Sequence, residues 1–294
     1  MPRCLVTGHK GYIGSKLFLE LKSLGHEVMG IDLQEDIPKD ILRYLKEDND
    51  GGFHPYYKNF KPEFVFHLAC HPRVGYSIEK PVETMENNVL TTSMVLNFAK
   101  KVGAKRFIYS SSSSIYGDGD GPKSPYALQK MTSEIECRLY SELYGIDTVS
   151  LRYFNVYSPC QKDFGAYATA IANWMEHIRQ NKNPFITGTG KQRRDMLNLE
   201  DAVSSNIFAM NREENFCGKY YDIGTGENIS LNEMKSVVEK YFPHTTFDYV
   251  EERIGDVEET RAKISPLESI GWKTAVPIRE GVDECFRRLK EEVL

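Results

Sequence analysis

Short apolar runs alternate with stretches of helical spacing along the first half of the chain. Arg3-Cys4-Leu5-Val6-Thr7 reads as a buried strand, followed by a glycine turn and a helix through Leu17–Leu24 that Gly25 ends. Glu27–Ile31 reads as a second strand closing on Asp32, and Phe64–Leu68 as a third apolar run between turn signals. Glu83–Lys101 carries helical spacing through Met85, Val89, Val95 or Leu96, and Ala99, with Gly103 as its stop. Lys105–Ser111 reads as a strand, Pro125–Tyr144 as a helix and Asp147–Tyr153 as a strand. In the Pro125–Tyr144 helix, Met131, Ile135, Leu139 and Leu143 predict a buried stripe. Strands alternating with helices predict a parallel sheet covered on both faces. Beyond Tyr157-Ser158-Pro159 the rhythm loosens, with a helix predicted over Ala168–Gln180 and shorter elements after it.

The expected architecture is α/β: a Rossmann-type, doubly wound parallel sheet over residues 1–155, with some later segments returning to it. A smaller C-terminal α/β substrate domain follows over residues 156–294. Composition changes this picture little. The 294 residues are 40% hydrophobic and 27% charged, with a net charge of −5, which argues against general attraction to nucleic acid or anionic membranes. No apolar run approaches a membrane span, and the start of the chain is too short an apolar stretch for a signal peptide. The six cysteines show no C-x-x-C spacing, so reduced thiols in a cytoplasmic protein are expected. His67, Cys70 and His71 cluster, but no second cluster at zinc spacing accompanies them, and no metal is expected.

Two motifs carry chemistry. Gly8-His9-Lys10-Gly11-Tyr12-Ile13-Gly14 is a G-x-x-G-x-x-G turn between a strand and a helix, with Asp32 18 positions after Gly14. Gly8 permits the tight turn, Gly11 a close backbone approach to pyrophosphate, and Gly14 the packing of helix on strand. The helix N-terminus offers unpaired amides to phosphate. Asp32 accepts hydrogen bonds from ribose hydroxyls and repels a 2′-phosphate, so NAD is expected rather than NADP. Further on, Tyr126 and Lys130 share one face of a helix that Ser124 caps and Pro125 opens. A free tyrosine is a poor base at neutral pH, and Lys130 is expected to lower its pKa. A hydroxyl from Ser110–Ser114 completes a relay.

With these motifs in order, the chain resembles the extended short-chain dehydrogenases/reductases of the NAD-dependent epimerase/dehydratase family, nucleotide-sugar 4-epimerases above all. The likeness runs through His67-Leu68-Ala69, Val74-Gly75-Tyr76-Ser77, Asn87-Asn88-Val89, Ser110-Ser111-Ser112 and Ile115-Tyr116-Gly117. It continues through Arg152–Tyr157, Arg194-Asp195, Ile223-Gly224-Thr225-Gly226 and Arg253-Ile254-Gly255-Asp256. The resemblance implies Ser112, Tyr126 and Lys130 as catalytic residues. It implies Gly8, Gly11, Tyr12, Ile13, Gly14, Asp32, Leu68, Ala69, Asn87, Ser110, Tyr126, Lys130 and Tyr153 around NAD. Asn155, Arg194 and Arg253, with Ser112, would then meet the diphosphate sugar. It also implies a homodimer in which the Glu83–Lys101 and Pro125–Tyr144 helices pair with their two-fold mates, burying Leu128, Ile135 and Leu139.

The sequence also departs from the family it resembles. Only 14 positions separate Ser112 from Tyr126, fewer than in most extended members, so part of a substrate-covering loop is missing. No strand ending in an Asp-hydrophobic pair is evident after Asp32; Asp36-Ile37 is a poor candidate. The related dehydratases carry Asp-Glu where this chain has Ser113-Ser114, and the decarboxylases carry Glu at Ser114. An epimerase is therefore expected, with a simple NAD-linked oxidoreductase, a dehydratase or a non-enzymatic NAD-binding regulator as alternatives.

Overall fold

The computed structural model describes residues 1–32, 59–161, 169–252 and 257–293. The described elements begin β1 (Arg3–Thr7), α1 (Tyr12–Ser23), β2 (Glu27–Ile31), β3 (Phe64–His67), α2 (Val74–Glu79) and α3 (Pro81–Met85). After a π turn at Glu86–Leu90 come α4 (Thr91–Val102), β4 (Arg106–Ser112), α5 (Pro125–Tyr144), β5 (Asp147–Tyr153) and β6 (Val156–Tyr157). Then follow α6 (Ala170–Arg179), β7 (Phe185–Thr187), β8 (Arg193–Arg194), β9 (Leu197–Asn198), α7 (Leu199–Asn211) and β10 (Tyr220–Ile223). The chain closes with β11 (Ile229–Ser230), α8 (Leu231–Tyr241), β12 (Asp248–Val250), α9 (Ser265–Glu268) and α10 (Ile278–Val293).

Six strands form one sheet in the order β10-β5-β4-β3-β1-β2, and β1 pairs in parallel with both β2 and β3. The chain thus winds to one side of β1 and then crosses to the other. A crevice opens beyond the strand C-termini at such a switch point, which is where α/β sheets bind ligands. Thr7 lies level with Ile31 on one side and with His67 on the other, so the glycine turn leaves the sheet at that crevice. This is the predicted Rossmann-type α/β architecture. Asp36-Ile37 lies outside the described residues.

Two compact units are distinguished. One comprises Met1–Ile115, Ser124–Arg152 and Val203–Tyr221, the other Tyr116–Lys123, Tyr153–Ala202 and Asp222–Leu294. The first has a core of Leu5, Val65, Leu96, Phe98 and Phe107. The second packs Trp174, Met175, Met234, Val282 and Phe286 together.

Within the first unit, Arg106 is wholly buried. Its Nε donates to Asp147 Oδ2 at 2.5 Å, and its other nitrogens donate to the carbonyls of Ala209, Arg212 and Glu214. Asp147 Oδ1 accepts from the amides of Phe216 and Cys217. One arginine thereby satisfies the Ala209 carbonyl in the last turn of α7 and two carbonyls of the segment that follows it.

The helix expected over Glu83–Lys101 forms as one uninterrupted helical run through α3 and α4, with a π turn at Glu86–Leu90 that admits one extra residue. One local prediction needs correction. The apolar stripe of α5 is not buried: Leu143 is 68% exposed and Met131, Ile135 and Leu139 are exposed with it. The inner face of α5 instead carries Tyr126, Ala127, Gln129, Lys130, Ser133, Glu134 and Cys137. Polar side chains occupy it because they find partners there: Glu134 accepts from Ser111 and Arg152, and Lys130 and Gln129 are similarly engaged.

Candidate active site

The glycine turn is built as its sequence requires. Gly8 has φ of +75°, and a Cβ there would stand 2.7 Å from the Ala69 amide nitrogen. A Cβ on Gly14 would lie 2.1 Å from the Gly8 carbonyl oxygen, so helix and turn touch as backbone on backbone. Leu68 N–H donates to the Thr7 carbonyl, which keeps Leu68 and Ala69 against the turn. Gly11 begins α1 without a side-chain cap and no acidic residue stands in its first turn, where Tyr12 and Ile13 are half-buried. The start of such a helix carries partial positive charge, which favours a phosphate. Asp32, at the end of β2, accepts from the Lys10 amide at 2.9 Å, so its carboxylate sits beside the turn. A tight glycine turn, uncapped helix amides and an adjoining carboxylate fit a dinucleotide.

At the end of β4 and the start of α5, Ser112, Tyr126 and Lys130 come together. Ser124 Oγ accepts from the Ala127 amide and Ser77 Oγ from the Tyr126 amide, so two side chains fix the first turn of α5. The Ser112 hydroxyl accepts from the Ser114 amide and stands near enough to the Tyr126 phenol to favour its ionised form. Lys130 Nζ donates to the Ser110 carbonyl at 2.6 Å, with the Tyr109 ring centroid 4.9 Å and the Tyr126 ring centroid 5.9 Å away. Tyr126 is buried, and burial pushes its phenol up to about 12. Lys130 and Ser112 both act to lower it, as the sequence implies, but desolvation is the larger effect.

Behind this group His67 is locked between two threonines. Its Nδ1 lies 2.7 Å from Thr7 Oγ1 and its Nε2 2.9 Å from Thr92 Oγ1. Burial first, then Lys130, lowers its pKa to about 3, so the ring is neutral. Both ring nitrogens are therefore engaged in joining β1, β3 and α4, which accounts for a histidine in that position.

In the second unit, Tyr153 is buried and Asn155 is half-buried. Asn155 Nδ2 donates to the Asp195 carbonyl at 2.7 Å, next to Arg194, so these two predicted residues share one short segment. Arg194 donates to the carbonyls of Arg193 and Glu258. Asp195 is the fixed point here, its carboxylate accepting from Thr225, Gly226 and Ala262. Burial raises its carboxyl above the ordinary aspartate range, against those hydrogen bonds. Arg253 lies outside the described residues.

Asn87 is half-buried in the π turn, whereas its neighbour Asn88 is buried and makes the contacts. Asn88 Oδ1 accepts from the His71 amide at 2.7 Å, and its Nδ2 donates to the His71 carbonyl and to Gln129 Oε1. Sequence reasoning missed Asn88 and Gln129. The signal for them is polarity on the inner face of a helix, legible only once that face is known.

The chain belongs to the NAD dependent epimerase/dehydratase family, whose model matches residues 4–224. NAD is the cofactor of this family. The chain is 30% identical to the UDP-N-acetyl-alpha-D-glucosaminuronate decarboxylase of Bacillus cytotoxicus, over 98% of each chain. It is 29% identical to the UDP-glucose 4-epimerase of Mycolicibacterium smegmatis, over 95% of this chain and 96% of that one. Among solved structures, the UDP-glucose 4-epimerase of Thermus thermophilus in complex with NAD superimposes with a TM-score of 0.83 at 27% identity. That match covers 98% of this chain and 99% of the other.

Proposed function

We propose that this chain is an NAD-dependent nucleotide-sugar 4-epimerase acting on a UDP-hexose of the UDP-glucose/UDP-galactose type. The observation that carries the reading is the buried Tyr126–Lys130 pair on α5 with half-buried Ser112 at the end of β4 beside it, in the chain that holds the glycine turn and Asp32. Bound NAD supplies a reversible hydride acceptor. Tyr126 takes the proton of the C4 hydroxyl as the C4–H bond breaks, and Ser112 holds that hydroxyl by a hydrogen bond. Lys130 favours the phenolate through its charge. The 4-keto sugar then presents its other face, and Tyr126 returns the proton to O4, so oxidation and reduction cancel over the cycle. Asn155 and Arg194 would hold the diphosphate, with Arg253 as a further arginine for it.

Ser113 and Ser114 support epimerisation over dehydration, because neither side chain can serve as the acid/base pair that removal of water requires. In this reading the enzyme works as a homodimer. The exposed apolar side chains of α5, Leu128, Ile135 and Leu139, support an isologous contact through that helix.

The test is incubation with catalytic NAD and a panel of UDP-, dTDP- and GDP-sugars, with separation of the products. The expected result is interconversion of a C4-epimeric UDP-sugar pair with no net gain at the NADH absorbance band. Accumulating NADH would point instead to a simple oxidoreductase. Loss of water from the sugar would point to a dehydratase.

A further inference from the structure

Three buried polar side chains and the backbone of His71 form a relay that the proposed chemistry does not use. Gln129 lies on α5, three residues after Tyr126 and one before Lys130. Its Nε2 donates to Thr84 Oγ1 at 2.9 Å and to the Pro81 carbonyl at 3.4 Å. Its Oε1 accepts from Asn88 Nδ2 at 2.8 Å. Asn88 in turn grips both sides of His71, accepting from its amide at 2.7 Å and donating to its carbonyl at 3.3 Å. Thr84, Asn88 and Gln129 are all buried. All four amide hydrogens of the two side chains have acceptors, which is a demanding arrangement to assemble without water.

The two ends of the relay are the informative part. One end is the helix that carries Tyr126 and Lys130. The other is the segment just after β3, where Ala69 abuts Gly8 and fixes the turn at the dinucleotide crevice. Asn88 reaches that segment from within the π turn Glu86–Leu90, and such turns re-aim side chains at functional positions. We propose that Gln129 is a positioning residue, which through Asn88 holds the Ala69–His71 wall of the NAD crevice in register with Tyr126. This rests on the epimerase reading for its consequence in turnover, but not for its consequence in NAD binding.

Gln129→Leu keeps the size of the side chain and removes the relay. In the full-length protein it is expected to speed amide hydrogen exchange across Leu68–Arg73 and to weaken NAD binding about tenfold. Misplaced groups of this kind cost on the order of tenfold to a hundredfold in rate. Accordingly, kcat on the preferred sugar falls while its KM holds. Gln129→Glu retains the acceptor toward Asn88 and loses the donors toward Thr84 and Pro81, and is expected to recover part of the NAD affinity and exchange protection. If Gln129→Leu does not fold, Asn88→Asp carries the same test, because it keeps the acceptor for the His71 amide and loses both donors. Unchanged exchange at Leu68–Arg73 together with unchanged NAD affinity, in a folded variant, would overturn the proposal. Failure of the wild type to epimerise any sugar would refute the epimerase reading alone and leave those two measurements decisive here.

Discussion

Tyr126 and His67 show how burial sets the charge of individual side chains. Tyr126 sits in a site dry enough to push its phenol up to about 12, with Lys130 and Ser112 pulling the other way. Removing Lys130 removes one of those opposing effects. Lys130→Met is therefore expected to raise the phenol further and to move the acid limb of the kcat–pH profile to higher pH. Tyr126→Phe should keep the fold and NAD binding and lose about 10²–10⁴ in turnover, with circular dichroism and NAD titration as controls. Near-normal turnover would mean that another base does the work. His67 behaves in the opposite sense to a salt-bridged histidine. Its folded pKa, about 3, lies below the ordinary 6.5, so the unfolded chain takes up the proton first. Its contribution to stability is whole above pH 6.5 and is lost as the pH falls from 6.5 toward 3. At pH 5 the loss is about 2 kcal/mol. Urea midpoints at pH 7 and pH 5 check this, and the difference between them should shrink in His67→Gln.

Among the elements, the end of α7 and the inner face of α5 are both held by buried polar groups. Arg106 binds Asp147 and three carbonyls near the end of α7, with the Phe216 ring 4.9 Å from its guanidinium carbon. Replacing it with methionine leaves Asp147 and those carbonyls without the cation that joins them. The expected destabilisation is about 3–5 kcal/mol, read as a fall in the urea midpoint. A loss below about 1 kcal/mol would show that Phe216 and Cys217 suffice to hold Asp147. On α5, helical periodicity correctly separates an apolar face from a polar one. It does not say which face turns inward, and here the polar face does.

For the whole molecule, that reversal has a consequence. Leu128, Met131, Ile135, Leu139 and Leu143 lie along one side of α5 and are exposed in the single chain. Such a row at a helix surface is a candidate for burial by a second copy. Light scattering at micromolar concentration should report a dimer for the wild type. Ile135→Glu, which places a charge in the middle of the row, should shift it to a monomer with its circular dichroism spectrum intact. A monomeric wild type would remove the reason for expecting these helices to pair. Among the described residues no helix is long and apolar enough to cross a membrane, so that row is not part of a spanning segment.

The local sequence determined much of this protein. Gly8, Gly11 and Gly14 stand where backbone must meet backbone, Ser124 and Pro125 start α5, and Gly103 and Gly145 end helices with left-handed φ. These features depend on a few neighbouring residues, so spacing alone reveals them. Alternation of strands and helices likewise foretold the parallel sheet. Only the tertiary structure decided which face of α5 is inside, because partners such as Arg152 for Glu134 come from another strand. Only it joined Asn88 to His71 and Gln129, which lie 17 and 41 positions away. It also set the protonation of Tyr126. The sequence supplied the nearby lysine that lowers the phenol's pKa, but desolvation depends on everything packed around the ring, and there it is the stronger effect.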